Sequence, residues 1–274
     1  MNYQQILLER RKAVLLISLN RPERLNAWTP RMMSEMRHAI VDANDDDTIG
    51  AIVVTGTGRG FCAGADIGGE FAAQLDTRDR TPPPNPKESP ERAQSGSADW
   101  VALVRSSKPL IAAVNGPAIG VGLSMILPFD RIVTLASAKL SVRFVKLGLV
   151  PELASSHFLV TRCGWGAASW MAMSGATVDG VEATRMGLAD RCVESDVVDH
   201  ALADAEILAS NPGPQLRMIK DLLTVNSAGV DLAEVQRREL ASLELAYRTP
   251  EHREAVSAFL AKRAPVFVRV PDPQ

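Results

Sequence analysis

The stretch "PLIAAVNGPAIGVGLSMILPFDRIV" (Pro109 to Val133) decides the fold class. It begins with a short apolar run that is typical of a buried strand, and a glycine-rich turn follows. The next residues predict a short buried helix from Leu123 to Leu127, which Pro128 ends. Another strand follows in "RIVTLAS" (Arg131 to Ser137). Strands that alternate with helices in this way indicate an α/β layered fold with substantial parallel pairing.

The N-terminal part of the chain continues the same alternation. "AVLLISL" (Ala13 to Leu19) and "GAIVVTG" (Gly50 to Gly56) predict two more buried strands. Between them, "TPRMMSEMRHAIVDAN" predicts a helix with Thr29 as its N-cap and Pro30 at its first helical position. This arrangement places strands on either side of a helix, as a parallel sheet requires.

From about Ser155 onward the pattern predicts helix almost throughout, with the clearest helices at Asp231 to Tyr247 and Pro250 to Lys262. We therefore divide the chain into an α/β core (residues 1–200) and a helical C-terminal region (residues 201–274). A helical tail after an α/β core is typical of a region that packs against a neighbouring copy.

The segment from Gln74 to Trp100 differs from the rest of the chain. It is rich in proline, serine and charged residues and has no apolar periodicity. Such a composition predicts a surface loop or lid.

The composition excludes several classes of protein. The chain has 274 residues, 46% hydrophobic and 23% charged, with a formal net charge of −2, which gives no indication of nucleic acid or membrane as a partner. Cys62, Cys163 and Cys192 are too scattered for a disulfide framework or a zinc cluster, so we expect no metal site. Charges interrupt the N-terminal apolar residues, and no apolar run approaches the roughly 20 residues that span a bilayer. These features predict a soluble, cytoplasmic protein.

Two glycine-rich turns follow predicted strands. The first, "VVTGTGRGFCAGADI" (Val53 to Ile67), formally matches a dinucleotide-binding GxGxxA pattern, but its glycines continue where a helix should begin. The second contains Gly120 and Gly122. Both turns could be ordinary strand-to-helix connections. Alternatively, their backbone N–H groups at Ala65 and Val121 could together hold an oxyanion.

Five motifs resemble those of the crotonase superfamily, the enoyl-CoA hydratase/isomerase family. They are "LNRPERLNAW", "GFCAGADI", "AAVNGPAIGVGLSMILPFDRIV", "LGLVPELASS" and "EAVSAFLAKR", in the family's order and spacing over nearly the whole chain. The resemblance implies a crotonase-like spiral of ββα units with a helical C-terminal trimerisation region. It also implies an acyl-CoA thioester substrate, assembly as a trimer or hexamer, and no separate cofactor, because CoA is part of the substrate.

The resemblance also implies a set of site residues. The N–H groups of Ala65 and Val121 would form the oxyanion hole, although the family usually has glycine at the second position. The residues that would contact the substrate and its CoA part are Arg24, Ala63, Gly64, Asp66, Ile67, Gly120, Phe259 and Lys262. Phe259 and Lys262 would reach CoA from the C-terminal helix, often that of a neighbouring subunit.

The carboxylates distinguish between the reactions of the family. Its hydratases use two glutamates, and by register Ser124 and Phe144 occupy those positions here. Glu152 instead matches the single catalytic glutamate of the peroxisomal-type Δ3,Δ2-enoyl-CoA isomerases. Its neighbours Leu149, Val150 and Leu153 predict an apolar pocket that would raise its pKa. The resemblance thus implies an isomerase in which Glu152 moves a proton from C2 to C4.

Other interpretations remain open at this level. Glu152 could instead favour the N-terminus of the next helix, for which Ser155 and Ser156 predict N-caps. The protein could be a hydratase with a nonstandard base, or a non-catalytic acyl-CoA-binding protein. His157 lies near the predicted pocket, and Cys62 beside the first turn is more typical of a small buried residue than of a nucleophile.

Overall fold

The computed structural model describes residues 3–66, 98–227 and 249–267, together with Ala241 and Leu245. The strands are β1 (Ile6–Arg11), β2 (Val14–Leu19), β3 (Ala51–Gly56), β4 (Leu110–Val114), β5 (Ala118–Ile119), β6 (Arg131–Leu135), β7 (Lys139–Ser141), β8 (Val178–Asp179) and β9 (Arg191–Val193). The helices are α1 (Pro30–Asp45), α2 (Ala98–Ser106), α3 (Val121–Ser124), α4 (Ser155–Ser174), α5 (Gly180–Arg185), α6 (Val197–Ala209), α7 (Gly213–Asn226) and α8 (Pro250–Leu260). Short 3-10 turns lie at Pro22–Arg24 and Arg143–Leu147.

Two sheets form the framework of the described residues. The larger has the order β1-β2-β3-β4-β6-β9 and is parallel except for the antiparallel pair β1-β2. The smaller has the order β5-β7-β8, with β5 and β7 parallel. The predicted α/β class with substantial parallel pairing is confirmed.

The central strands β3 and β4 carry continuous apolar runs, Ala51 to Val54 and Leu110 to Val114, because both faces of the large sheet are covered. Ala51 and Val53 of β3 pack with residues of α6, whereas the alternate residues Ile52 and Val54 pack in the larger core that contains α1. Successive side chains of a strand point to opposite faces, so covering both faces requires a continuous apolar run.

The N-terminal cap of α1 is as predicted. Thr29 Oγ1 accepts a hydrogen bond from Met32 N (3.1 Å), and Pro30 is the first helical residue. The helix predicted at Leu123 to Leu127 instead spans Val121–Ser124. Its earlier start matters for function, because it makes Val121 the first helical residue.

Three other local predictions are wrong. The second half of the chain contains the strands β8 and β9 as well as helices. The predicted loop up to Trp100 already enters α2 at Ala98, and the rest of that loop lies outside the described residues, apart from residues 98–100. Helix α4 begins at Ser155, and its N-cap is Ala154, which has a left-handed backbone conformation and makes no side-chain capping bond.

The helical C-terminal region is described in part. Helix α8 covers most of the predicted Pro250 to Lys262 helix, and Ala241 and Leu245 are helical. The remainder of Asp231 to Tyr247 lies outside the described residues, and the division into residues 1–200 and 201–274 stays a prediction. In the described part of the chain, no helix is long and apolar enough to cross a bilayer.

Candidate active site

The two glycine-rich turns lie side by side because their backbones are hydrogen-bonded to each other. Cys62 N donates to Pro117 O, and Ile119 N donates to Cys62 O, each at 2.9 Å. These bonds form a parallel bridge between Cys62 and Ala118. The chain that leaves β3 is thereby fixed against the chain that leaves β4.

The N–H groups of Ala65 and Val121 are both available as donors. Trp28 bonds the flanking residues, since its N–H donates to Gly64 O (2.8 Å) and its carbonyl accepts from Asp66 N (3.0 Å). No hydrogen bond from the N–H of Ala65 or Val121 is present among the described residues. Val121 begins α3 with an ordinary negative φ, so its N–H belongs to the group that a helix leaves unsatisfied at its start.

Glycine is required at two points that aim these donors. Gly120, just before Val121, has φ +56° and ψ −122°, and Gly64, just before Ala65, has φ +104°. Residues that have a Cβ atom rarely adopt such backbone conformations. Each donor therefore follows a backbone turn that only glycine makes without strain.

A cavity of about 460 Å³ lies beside these two turns. Its lining includes six of the residues named from the sequence: Ala63, Gly64, Ala65, Gly120, Val121 and Glu152. The remaining lining is mainly apolar and comes from Ile119 and the segment between Arg143 and Val150, which also contributes the two cations Arg143 and Lys146. Two backbone donors and one carboxylate thus meet in one apolar cavity.

Glu152 is held by an unusual piece of backbone. The next two residues, Leu153 and Ala154, both have left-handed φ values, 54° and 53°. Residues other than glycine adopt this conformation at a cost of about 1 kcal/mol or more each, and they do so mainly where the surroundings enforce it. The helix then starts at Ser155, whose N–H donates to the Glu152 carbonyl oxygen (3.0 Å). The N-cap is Ala154, and the side chain of Glu152 makes no capping hydrogen bond to this helix.

The Glu152 carboxylate forms no hydrogen bond or ion pair with any described residue. The atoms packed around it raise its pKa above the ordinary value by desolvation. An opposite charge nearby would lower that pKa instead. The group is accordingly a stronger base than a fully solvated glutamate.

The expected burial of Glu152 is wrong for the single chain. Glu152 is exposed, and so are its neighbours Leu149 (39%) and Val150 (80%), whereas Leu153 is buried. These apolar side chains form a lip of the cavity and not a sealed pocket. Water reaches the carboxylate unless substrate or another subunit covers the lip.

The two positions where the family's hydratases carry glutamate lack carboxylates here. Ser124 is fully buried in α3, and its hydroxyl has no hydrogen-bond partner among the described residues. Phe144 is 8% exposed and contributes an apolar wall to the cavity. In the cavity lining, Glu152 is the only carboxylate among the residues that the structure describes.

Asp66 and Arg24 do not line this cavity. Asp66 accepts a hydrogen bond from Arg21 Nη2 at 2.7 Å, and Arg21 also donates to the Ala27 carbonyl. This half-buried ion pair fixes the turn that carries Ala65. Arg24 lies exposed at the end of the first 3-10 turn, and its predicted contact with CoA stays a prediction.

The C-terminal CoA residues remain predictions as well. Lys262 is exposed in the turn after α8, with φ +51°. The side chain of Phe259 and the whole of Ile67 lie outside the described residues. Lys262 is not part of the cavity lining of the single chain.

The surroundings of Cys62 and His157 do not indicate a catalytic role for either residue. Cys62 is fully buried, and desolvation raises the pKa of its thiol to about 12, which agrees with a small buried residue and not with a nucleophile. His157 is exposed, lies edge-on to Phe158 and lines a different cavity, together with Arg105. We therefore assign His157 no role at Glu152.

Two charged residues of the cavity lining were missed in the sequence analysis, Arg143 and Lys146. Both belong to the 3-10 turn Arg143–Leu147, in which residues three apart lie on the same face. The signal available in the sequence was the pair of basic residues at this spacing, shortly before Gly148.

Comparison with known proteins identifies the family. The sequence model described as Enoyl-CoA hydratase/isomerase matches residues 9–269. The chain is 35% identical to the 1,2-epoxyphenylacetyl-CoA isomerase of Escherichia coli K12, over 93% of this chain and 95% of that protein. It is 34% identical to a probable enoyl-CoA hydratase of Mycobacterium bovis, over 97% and 99% of the two chains.

A solved structure gives the same result for the fold. The crystal structure of an enoyl-CoA hydratase from Geobacillus kaustophilus superimposes with a TM-score of 0.84 at 30% identity, covering 98% of this chain and 99% of that one. The fold is therefore the crotonase-like α/β fold. Together with the match over residues 9–269, these similarities show that the chain is an enzyme of the enoyl-CoA hydratase/isomerase family.

Proposed function

We propose that this enzyme shifts the double bond of a 3-enoyl-CoA to give the conjugated 2-enoyl-CoA, with Glu152 as the proton shuttle. The observation that carries the proposal is that one carboxylate with a raised pKa and two free backbone donors line the same cavity. The reaction needs no separate cofactor, because CoA is part of the substrate.

The chemistry follows from the thioester. Removal of a proton from C2 places negative charge on the thioester oxygen, and the N–H groups of Ala65 and Val121 would stabilise that charge. Glu152 would accept the C2 proton and return it to C4 of the dienolate. The electron pair of the C2–H bond becomes the new C2–C3 double bond, and the old C3–C4 double bond takes up the returned proton. No atom is gained or lost.

The missing second carboxylate supports isomerisation over hydration. The addition of water needs one group to activate the water and another to deliver a proton to C2. The buried Ser124 hydroxyl and the Phe144 ring offer no base at those places. An isomerase needs only one group that accepts and then donates the same proton.

The proposed reaction is tested with purified protein and two substrates. Trans-3-enoyl-CoA and trans-2-enoyl-CoA are each offered to the wild-type enzyme, to Glu152→Gln and to Glu194→Gln. Glu194 is exposed and lies outside the cavity, which makes it a matched control. The absorbance of the conjugated enoyl thioester reports both reactions.

We expect the absorbance to rise with the 3-enoyl substrate in the wild type and in Glu194→Gln. Loss of the Glu152 base should lower kcat by at least about 10²-fold, as is typical of general acid–base groups. An absorbance that falls with the 2-enoyl substrate, equally in all three proteins, would instead identify a hydratase with another base. Tight acyl-CoA binding without turnover, indifferent to Glu152, would identify a non-catalytic acyl-CoA-binding protein.

We also propose that the chain works as a trimer or a hexamer. Large apolar side chains on α4 are exposed in the single chain, among them Trp165 (75%), Trp170 (66%) and Met173 (72%). Several large apolar side chains exposed on one helix commonly mark an interface. Because α4 packs against the turn Arg143–Leu147, a subunit bound there would lie near the open lip beside Glu152.

A further inference from the structure

Two cations share the cavity of Glu152, and the proposed isomerisation uses neither. Arg143 and Lys146 project from one face of the 3-10 turn Arg143–Leu147, since residues i and i+3 align in such a turn. The stem of Lys146 lies across Gly175, where a Cβ would approach Lys146 Cγ to 2.8 Å. The glycine therefore leaves the room that the lysine occupies.

Neither cation has a counter-charge among the residues that the structure describes. Neither Arg143 nor Lys146 forms an ion pair or a side-chain hydrogen bond with any residue that the structure describes. Both residues are exposed in the single chain, so water solvates their charges when the cavity is empty. Two unpaired cations in a mainly apolar cavity suit a ligand that brings the negative charge with it.

The cations do not serve the catalytic carboxylate. No nitrogen of Arg143 or Lys146 lies within ion-pair distance of Glu152, whose pKa is raised by desolvation and not lowered by a nearby positive charge. The two cations are therefore not paired with the carboxylate, and both stay available to a ligand in the cavity.

We propose that the acyl chain of the substrate ends in a carboxylate, which Arg143 binds in a fork of two hydrogen bonds while Lys146 adds a second positive charge. The inference rests on the proposed function, since the acyl chain must enter this cavity. A guanidinium matches a carboxylate in geometry, and an apolar wall such as that formed by Phe144 strengthens the pairing. The substrate class is a mono-thioester of a short dicarboxylic acid.

The phosphates of CoA are another source of negative charge, and binding measurements separate the two. Calorimetry is performed with hexanoyl-CoA, with adipyl-CoA, which has the same chain length and a terminal carboxylate, and with CoA alone. The proteins are the wild type, Arg143→Gln, Lys146→Gln and the control Arg185→Gln, whose arginine is exposed and pairs with Glu182 outside the cavity. Melting temperatures check that each variant is folded.

We expect the wild type and Arg185→Gln to bind adipyl-CoA about 10- to 100-fold more tightly than hexanoyl-CoA, as a charge-assisted hydrogen-bonded pair would give. Arg143→Gln should remove most of that preference and leave the affinity for hexanoyl-CoA and CoA unchanged. Lys146→Gln should reduce the preference by a smaller factor.

Two results would overturn the inference. One is equal affinity of the wild type for the two acyl-CoAs. The other is an equal loss in Arg143→Gln for all three ligands, which would assign the cations to the phosphates. Because these saturated ligands cannot isomerise, a failure here is distinct from a failure of the Glu152 reaction. That reaction is measured with trans-3-hexenoyl-CoA, whose acyl chain carries no charge.

Discussion

Cys62 and Gly122 pack so closely that the two turns of the site behave as one unit. A Cβ on Gly122 would lie 2.3 Å from the Cys62 carbonyl oxygen and 2.9 Å from Cys62 Sγ. Separations below about 3 Å are repulsive, so an added methyl group would force the turns apart. Gly122 directly follows Val121, and the displacement would act on an oxyanion donor.

Gly122→Ala is therefore expected to lower kcat by about 10²-fold, the effect of losing one oxyanion donor. The matched control is Gly166→Ala on α4, where a new Cβ meets no atom within 4 Å. Circular dichroism establishes that both variants are folded, and steady-state kinetics with a 3-enoyl-CoA gives kcat. Full activity in folded Gly122→Ala would contradict the role assigned to the Val121 N–H.

Much of the framework could be predicted from the sequence because burial imposes a simple pattern. The central strands are covered on both faces, which requires the uninterrupted apolar runs that reveal β3 and β4. Thr29 and Pro30 mark the start of α1, because threonine is favoured as an N-cap and proline at the first helical position. The two glycine-rich turns could also be recognised, because only glycine makes such turns without strain. Their donors at Ala65 and Val121 line one cavity.

The rest depends on interactions that the local sequence does not encode. The apolar residues around Glu152 predicted burial, but Val150 is 80% exposed because no described residue of the same chain covers it. The cap of α4 is Ala154 and not a serine, since the left-handed backbone at Leu153 and Ala154 sets the start of the helix. Arg143 was missed because the direction of its side chain depends on the 3-10 geometry of its turn.

The pH dependence of isomerisation should report the raised pKa of Glu152. The base acts only when ionised, so kcat should rise with pH through that pKa and then level off. Because desolvation raises the pKa, the inflection should lie above the value of about 4.3 found for a fully solvated glutamate. Initial rates across a buffer series give the profile. An inflection at or below the ordinary value would show that the carboxylate is fully solvated or paired when it acts.

Glu152→Gln should be at least as stable as the wild type at neutral pH. A carboxyl whose folded-state pKa is raised contributes stability only below its unfolded-state pKa, and that contribution is lost as the pH rises through the folded-state value. The ionised wild-type carboxylate thus carries a cost that the amide lacks. Since the side chain is exposed, the gain in Tm should be no more than about 2 °C. Calorimetry at neutral and at acidic pH should show this gain only at neutral pH; a clear loss of stability at both would contradict it.

Cys62 should resist alkylation in the folded protein. Its thiol is fully buried and has a pKa of about 12, whereas Cys163 and Cys192 are partly exposed. Since the thiolate is the reactive form, iodoacetamide at about pH 8 should modify Cys62 at least about 10²-fold more slowly than in the unfolded chain. Peptide mass spectrometry resolves the three sites. Rapid labelling of Cys62 without unfolding would show that the two turns open in solution.

Self-association should depend on the exposed face of α4. The side chains of Trp170 and Met173 are 66% and 72% exposed and lie three residues apart on one side of the helix. Light scattering of the wild type should give three or six times the chain mass of 29.5 kDa. Trp170→Glu would bury a charge in the interface, so it should shift the mass toward that of one chain. It should also reduce isomerase activity, because the open edge of the cavity beside Glu152 would no longer be covered. The control Ile207→Glu, at an equally exposed apolar position on α6, should retain the assembly. A wild type that is monomeric at assay concentration, or a Trp170→Glu variant that stays assembled, would exclude this face as the interface.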